Sequence, residues 1–103
     1  MAFCLRKTML ATITFHLHLP GCASLKEKRG RIKPLINRLR REFNLSVAET
    51  GLNDKWTEAQ IGCVMIGGDA AFLQSALETV RAWVEAHWTD GDVWDAKIEI
   101  GNW

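Results

Sequence analysis

The feature that most constrains the fold is a strict two-residue alternation over residues 9–19. One face of this segment is wholly apolar: Met9, Ala11, Ile13, Phe15, Leu17 and Leu19. The other face is mixed: Leu10, Thr12, Thr14, His16 and His18. Side chains alternate across a β-strand, so the pattern predicts a strand that buries one face. Pro20 and Gly21 follow, and they predict the turn that ends the strand.

A helical period replaces the alternation after this turn. Ser24 and Glu27 have the spacing of a capping box, which begins a helix by satisfying free backbone N–H groups. The next apolar residues recur at helical spacing: Leu25, Ile32, Leu35, Ile36, Leu39 and Phe43. Gly30 and Pro34 weaken this helix, and the proline predicts a kink or a broken first section. Asn44 is predicted to end the helix in a left-handed conformation.

The remaining chain repeats the order strand, strand, helix, strand. Residues 45–50 predict a short strand with Glu49 on its inward face, and residues 61–66 predict an interior strand. Asp69 is predicted to cap a second helix. That helix is expected to bury one face: Phe72, Leu73, Ala76, Leu77, Val80, Trp83 and Val84. Residues 93–100 alternate again, with these side chains expected inward: Trp94, Ala96, Ile98 and Ile100.

The predicted order is therefore β-α-β-β-α-β, in a chain of 103 residues that has room for one domain. Right-handed crossovers make the ferredoxin-like arrangement the natural solution, an α+β fold with a four-stranded antiparallel sheet and two helices on one face. The other sheet face is then bare. Either side of the third strand would present apolar residues on this face, and together with Leu10 and Val93 these form an apolar patch. Burial of the patch in a homodimer interface is the simplest explanation.

Charge is divided unevenly along the chain. Residues 1–50 hold ten Lys/Arg and three Asp/Glu, whereas residues 51–103 hold three and nine. Eight of the thirteen basic residues lie on the first predicted helix: Lys26, Lys28, Arg29, Arg31, Lys33, Arg38, Arg40 and Arg41. Cations near a helix N-terminus oppose the helix dipole at about 0.3–1 kcal/mol each, which favours an anion-binding surface over a purely structural role. A solvated polar face is the alternative, and the sequence leaves it open.

Lys28 differs from its neighbours because it points close to the apolar stripe. In the predicted fold the second strand ends near the start of the first helix, which brings Glu49 towards Lys28. We therefore expect a partly buried Lys28–Glu49 pair that positions the helix N-terminus. Structural ion pairs outnumber catalytic ones, so a structural role is predicted.

No catalytic, metal or cofactor site is predicted. His16, His18 and Cys22 form a loose set without a fourth zinc ligand. Cys22 lies near basic residues, but no base and orienting group accompany it. An enzyme is the third option, which an occupied pocket around His18, Cys22, Lys28 and Glu49 would support.

Three sequence blocks carry a resemblance: HLPG…SLKEKR over residues 18–29, RLR…FNLSVAE over residues 38–49, and DKW over residues 54–56. In their order and spacing they resemble the bacterial YlxP-like family. The resemblance implies a ferredoxin-like fold without an established activity, and a genomic context of translation and ribosome maturation. Members usually start at the position of Met9, which implies an N-terminal extension over residues 1–8 and one domain over residues 9–103.

These observations predict a non-enzymatic accessory protein that binds structured RNA, with ribosomal RNA as one candidate, through its basic first helix. Phe15 is expected to face the helices and residues 61–66 lack aromatics, so contact through phosphates is expected, without base stacking on the sheet or DNA base readout. The alternative is a module that homodimerises through its sheet and binds an acidic protein surface. The odd cysteine count and the lack of a long apolar run predict a cytoplasmic protein without a membrane span.

Overall fold

Six elements form in the predicted order in the computed structural model, which describes residues 8–102. They are β1 (Met9–His18), α1 (Leu25–Glu42), β2 (Ser46–Gly51), β3 (Glu58–Gly67), α2 (Ala70–His87) and β4 (Asp92–Asn102). The predicted extension over residues 1–8 lies outside the described residues, apart from Thr8.

The four strands form one antiparallel sheet in the order β2-β3-β1-β4. Four inward residues of the central strand β1 are fully buried, Ala11, Ile13, Phe15 and Leu17, and Met9 at its start is partly buried. The core is completed by residues of the two helices: Ile32, Leu35 and Leu39 from α1, with Leu73, Leu77, Val80 and Val84 from α2. This arrangement confirms the predicted ferredoxin-like α+β fold.

Both helices begin at the predicted caps. The backbone N–H of Glu27 donates to Ser24 Oγ at 3.0 Å, and the N–H of Ala23 donates back to Glu27 Oε1 at 3.3 Å. The N–H of Ala71 donates to Asp69 Oδ1 at 3.2 Å. These bonds satisfy donors that the first turn of each helix would otherwise leave free.

The helix α1 differs from expectation in two respects. It is not broken at Pro34, because proline removes one hydrogen bond while the buried residues on either side keep the helix against the sheet. Asn44 does not end it in a left-handed conformation. Phe43 ends it in an extended conformation, and its N–H donates to the carbonyl of Leu39 at 3.0 Å. Among residues 8–102, Leu52 is the non-glycine residue with a positive φ.

Two predicted core aromatics are instead exposed. Phe72 is 64% exposed because it lies one residue, or about 100°, from the buried stripe of α2 that Leu73 begins. Trp94 is 54% exposed because of a β-bulge: His16 pairs with Asp95 while Leu17 pairs with Val93, so Trp94 is an extra residue that faces the open side of the sheet. The same bulge turns Val93 inward, which removes it from the predicted open-face patch.

Candidate nucleic-acid interface

The eight basic residues of α1 divide into two groups. Lys28 and Arg31 are bound to carboxylates. Within residues 8–102, no carboxylate lies within 4.0 Å of the other six: Lys26, Arg29, Lys33, Arg38, Arg40 and Arg41. The acidic half of the chain therefore leaves most of the charge of α1 uncompensated.

Lys28 lies inside the protein, with only 1% of its side chain exposed. Its ammonium donates to the carbonyl of Leu52 at 2.7 Å and to that of Glu58 at 3.1 Å, and lies 3.0 Å from Glu49 Oε2. These contacts anchor the first half of α1 to β2 and to the connection between β2 and β3. Because the ammonium is enclosed, Lys28 cannot reach a ligand on the surface, and its place in the predicted anion-binding set is wrong.

Sequence reasoning brought Lys28 and Glu49 together but missed the two carbonyl acceptors. Main-chain acceptors leave no signal in the residue types that supply them. The φ of 58° at Leu52, which supplies one of the two carbonyls, is likewise visible only in the structure. The buried ammonium thus has three oxygen neighbours: the two carbonyls accept hydrogen bonds, and Glu49 Oε2 forms the ion pair.

Arg31 joins α1 to two loops. Its guanidinium donates through Nε to Asp90 Oδ2 at 2.8 Å and through Nη2 to the Asp90 carbonyl at 2.6 Å. Nη1 donates to the carbonyl of Pro20 at 3.0 Å and lies 3.4 Å from Glu27 Oε2. The hydrogen bond with Asp90 raises the pKa of the Arg31 guanidinium above its ordinary value. The positive charge of Arg31 is therefore paired with carboxylates of the protein itself, so Arg31 is also a poor member of the predicted anion-binding set.

Arg38 and Arg40 are held in place without losing their charge. The guanidinium of Arg38 lies 5.0 Å from the centre of the Trp83 ring, a cation–π contact. Arg40 Nη2 donates to the carbonyl of Val47 at 2.8 Å. Neither contact neutralises the guanidinium, so both side chains present a positive charge whose position is already fixed.

Five of these six cations, all except Lys26, border two open grooves along α1. The first, of about 390 Å³, has this lining: Gly30, Lys33, Pro34, Asn37, Arg38 and Arg41. The second, of about 360 Å³, lies between α1 and the edge of the sheet and is lined partly by Arg29, Lys33, Arg40 and Glu49. Lys33 borders both grooves, so the positive surface is continuous across the exposed side of the helix.

The opposite face of the molecule has a different character. The Trp94 ring stacks on His18 at 4.4 Å between ring centres and meets the edge of His16 at 5.4 Å. His16 Nε2 lies 2.7 Å from Glu58 Oε1, and His18 Nδ1 lies 3.1 Å from Asp92 Oδ2. Sequence reasoning placed no aromatic here, because the bulge that exposes Trp94 leaves no trace in the alternation.

Farther along this face the sheet is bare. Leu10 of β1 pairs with Ile66 of β3, and Ile66 is 66% exposed. Beside them a shallow trough of about 420 Å³ runs over small residues such as Thr12, Gly62 and Val64. The predicted apolar patch is therefore present at Leu10 and Ile66.

Of the four residues named for the enzyme option, Lys28 and Glu49 are in contact as the buried ion pair described above. Cys22 is buried, and its thiol donates to the carbonyl of Ser24 at 3.5 Å. Burial raises the pKa of the Cys63 thiol to about 12, which keeps it protonated near neutral pH. Within residues 8–102, no group of three or more histidine, cysteine or acidic side chains is placed to hold a metal ion.

Comparisons with known proteins support the resemblance found in the sequence. A family model described as a protein of unknown function, DUF503, matches residues 10–98. The "Uncharacterized protein YlxP" of Bacillus subtilis (strain 168) is 30% identical over 63 residues, which are 61% of this chain and 68% of that protein. Neither description names an activity. In the described part of the chain, neither helix is long and apolar enough to cross a membrane.

Proposed function

The chain belongs to the YlxP-like family of uncharacterised proteins, for which DUF503 is the family model, and from that premise we propose that it is a non-enzymatic accessory protein that binds structured RNA through α1. Ribosomal RNA is one candidate within this class, and the proposed role is a cytoplasmic one, in translation or ribosome maturation.

One observation carries this proposal: six basic side chains of α1 have no carboxylate partner among residues 8–102. Two lie in the first turns of the helix, Lys26 and Arg29, where the helix dipole disfavours positive charge. A phosphate there would meet both the side chains and the positive end of the dipole, which turns an unfavourable arrangement into a favourable one.

Carboxylates of the sheet disfavour approach of a polyanion from the open sheet face. Glu58, Asp92, Asp95 and Glu99 belong to the strands of the sheet, on the other side of the molecule from α1. These carboxylates repel phosphate, so an RNA bound at α1 is kept from the open sheet face. Contact with six phosphates would make the logarithm of affinity fall against the logarithm of salt concentration with a slope of about −5.

The test is binding of a structured RNA hairpin across a salt series, with two variants of equal net charge. Charge reversal on α1, by Arg29→Glu, Lys33→Glu and Arg40→Glu together, should lower affinity more than tenfold and reduce the salt slope by about three. The matched control reverses three basic residues away from α1: Lys55→Glu, Arg81→Glu and Lys97→Glu.

The control variant has the same net charge as the α1 variant, so it separates a local surface from a general attraction. Wild-type affinity that ignores salt, or an equal loss of affinity in both variants, would contradict the proposal. Thermal unfolding of all three proteins verifies that the domain remains folded.

A second candidate rests on the apolar pair of Leu10 and the exposed Ile66: the open sheet pairs two copies, and the basic helix binds an acidic protein surface. Ile66→Lys would place a charge in this patch and should shift the molar mass seen by light scattering from dimer to monomer. Recovery of the partner from cells with and without nuclease separates the two candidates, because an RNA-mediated partner is lost after nuclease treatment.

A further inference from the structure

Gly30 and Pro34, the two residue types least suited to a helix, lie one turn apart on the exposed side of α1. The equally long α2 contains neither residue type. A Cβ atom at Gly30 would meet nothing within 4 Å, and its φ lies outside the left-handed region, so the fold does not require glycine there. Departures from helix propensity that packing does not require are concentrated at functional sites.

Pro34 has a specific chemical consequence for Gly30. In an α-helix the carbonyl of residue 30 accepts a hydrogen bond from the N–H of residue 34, and proline has no N–H. The carbonyl of Gly30 is thereby released from this bond, and Gly30 lines the same groove that Lys33, Arg38 and Arg41 border. The groove therefore combines a main-chain hydrogen-bond acceptor with three cations.

We infer that this groove receives the ribose–phosphate backbone of RNA, an inference that rests on the proposed function. The Gly30 carbonyl accepts a hydrogen bond from a ribose 2′-hydroxyl. Lys33, Arg38 and Arg41 bind the phosphates on either side of that ribose. The missing side chain at Gly30 lets the sugar approach the helix backbone closely.

The chemistry selects RNA because its backbone presents a donor between two anions at every step. The ribose 2′-hydroxyl is a hydrogen-bond donor that lies between successive phosphates, and A-form helices display it in a wide, shallow minor groove. DNA has the phosphates but lacks this donor. The groove should thus distinguish the two nucleic acids without reading any base.

The experiment compares three probes of one hairpin sequence: RNA, 2′-O-methyl RNA and DNA. The methylated RNA removes the donor while retaining an RNA-like backbone. Wild-type protein should bind the unmodified RNA about fivefold more tightly than the methylated RNA, the value of one net hydrogen bond.

Two substitutions should weaken binding while they stabilise the fold. In Pro34→Ala the new N–H donates to the Gly30 carbonyl, so the preference for unmodified over methylated RNA should vanish. In Gly30→Ala the added methyl group fills the floor of the groove, so affinity for both RNAs should fall. Both variants should unfold at a higher temperature, because alanine suits a helix better than glycine or proline. Ser75→Ala on α2 is the control, with a modest gain in stability and unchanged RNA binding.

The outcomes separate this inference from the proposed function. Equal wild-type affinity for the three probes, or a preference that survives in Pro34→Ala, would overturn the inference and leave phosphate binding by α1 intact. Absence of salt-dependent binding to every probe would overturn both. Loss of the preference in a Pro34→Ala protein that is more stable than wild type would support the inference, because misfolding cannot explain it.

Discussion

The two helices occupy matching places in the fold and differ in almost everything that packing does not control. Each has 18 residues, and each has four buried side chains facing the same side of the sheet. Yet α1 carries eight basic and two acidic residues, whereas α2 carries one arginine and two glutamates. Since α2 packs without such charge, the fold alone does not explain the basic residues of α1.

The comparison also extends to how the helices are attached. The first buried residue of α2 is Leu73, an apolar anchor, and the first buried residue of α1 is the charged Lys28. An apolar anchor gains stability from area removed from water, while Lys28 depends on its oxygen neighbours being in position. The two attachments should therefore respond differently to substitution.

The largest effect is expected at this charged anchor. Lys28→Ala leaves the carboxylate of Glu49 in a mostly buried site without its partner, and should lower the free energy of unfolding by about 3–5 kcal/mol. Chemical denaturation measures this change. The combined variant Lys28→Met with Glu49→Leu should recover part of the loss, since it removes both charges but leaves the carbonyls of Leu52 and Glu58 without the lysine donor. A small loss in Lys28→Ala, with no recovery in the combined variant, would show that α1 is anchored by packing, as α2 is.

Leu73→Ala tests the apolar anchor of α2. This substitution removes fully buried apolar volume from α2 and should cost about 2–5 kcal/mol in the free energy of unfolding. Unlike the loss in Lys28→Ala, this loss of stability should not be reversed by removing a nearby charge, because Leu73 takes part in no ion pair. A loss well below this range in denaturant unfolding would mean that α2 is held mainly by its ends.

A smaller loss of stability is expected from substitution of Arg31 in α1 or Arg81 in α2, two arginines that bind carboxylates. Arg31→Ala breaks the link from α1 to the loop before β4, and should lower stability by about 1–2 kcal/mol. Arg81 of α2 pairs with Glu78 of its own helix, so Arg81→Ala should change stability by only about 0.5 kcal/mol. Thermal unfolding of both variants measures the difference. Equal effects would show that the Arg31–Asp90 link contributes no more than a pair within one helix.

The smallest effects should come from the two helix caps. Ser24→Ala and Asp69→Ala each remove one acceptor for a backbone N–H, at about 1 kcal/mol. The loss should be larger for Asp69, because its negative charge also interacts favourably with the helix dipole. Denaturant unfolding in low and high salt checks this, since salt should weaken only the contribution of Asp69. A larger loss at Ser24 in low salt would contradict this explanation.

Most of the fold could be predicted from the sequence because the period of apolar residues changes from two to 3.6 at nearly every element boundary. The contact between Lys28 and Glu49 followed from the same periods, since each residue lies on the inward side of its element. The alternation could not predict Trp94. One extra residue in β4 changes which face the tryptophan takes, and Trp94 and Ala96 alternate in sequence whether or not a bulge lies between them.

The candidate site was predicted only in part. Counting charges identified α1, but it could not show that Lys28 is enclosed or that Arg31 is bound to Asp90. Both facts depend on contacts between segments distant in sequence. Gly30 and Pro34 were visible as weak points of a helix. Their significance needed the structure, which shows an unbroken helix with a groove at this place.

The main-chain attachment of Lys28 bears on how such a protein can change during evolution. Two of the three oxygens around its ammonium are carbonyls, of Leu52 and Glu58, and every amino acid has one. The segment between them can therefore exchange its side chains while the lysine stays anchored, provided that its length is preserved. An insertion or deletion there would displace an acceptor. Among related sequences, a constant number of residues between β2 and β3 should thus accompany a lysine at this position more closely than any particular residue type.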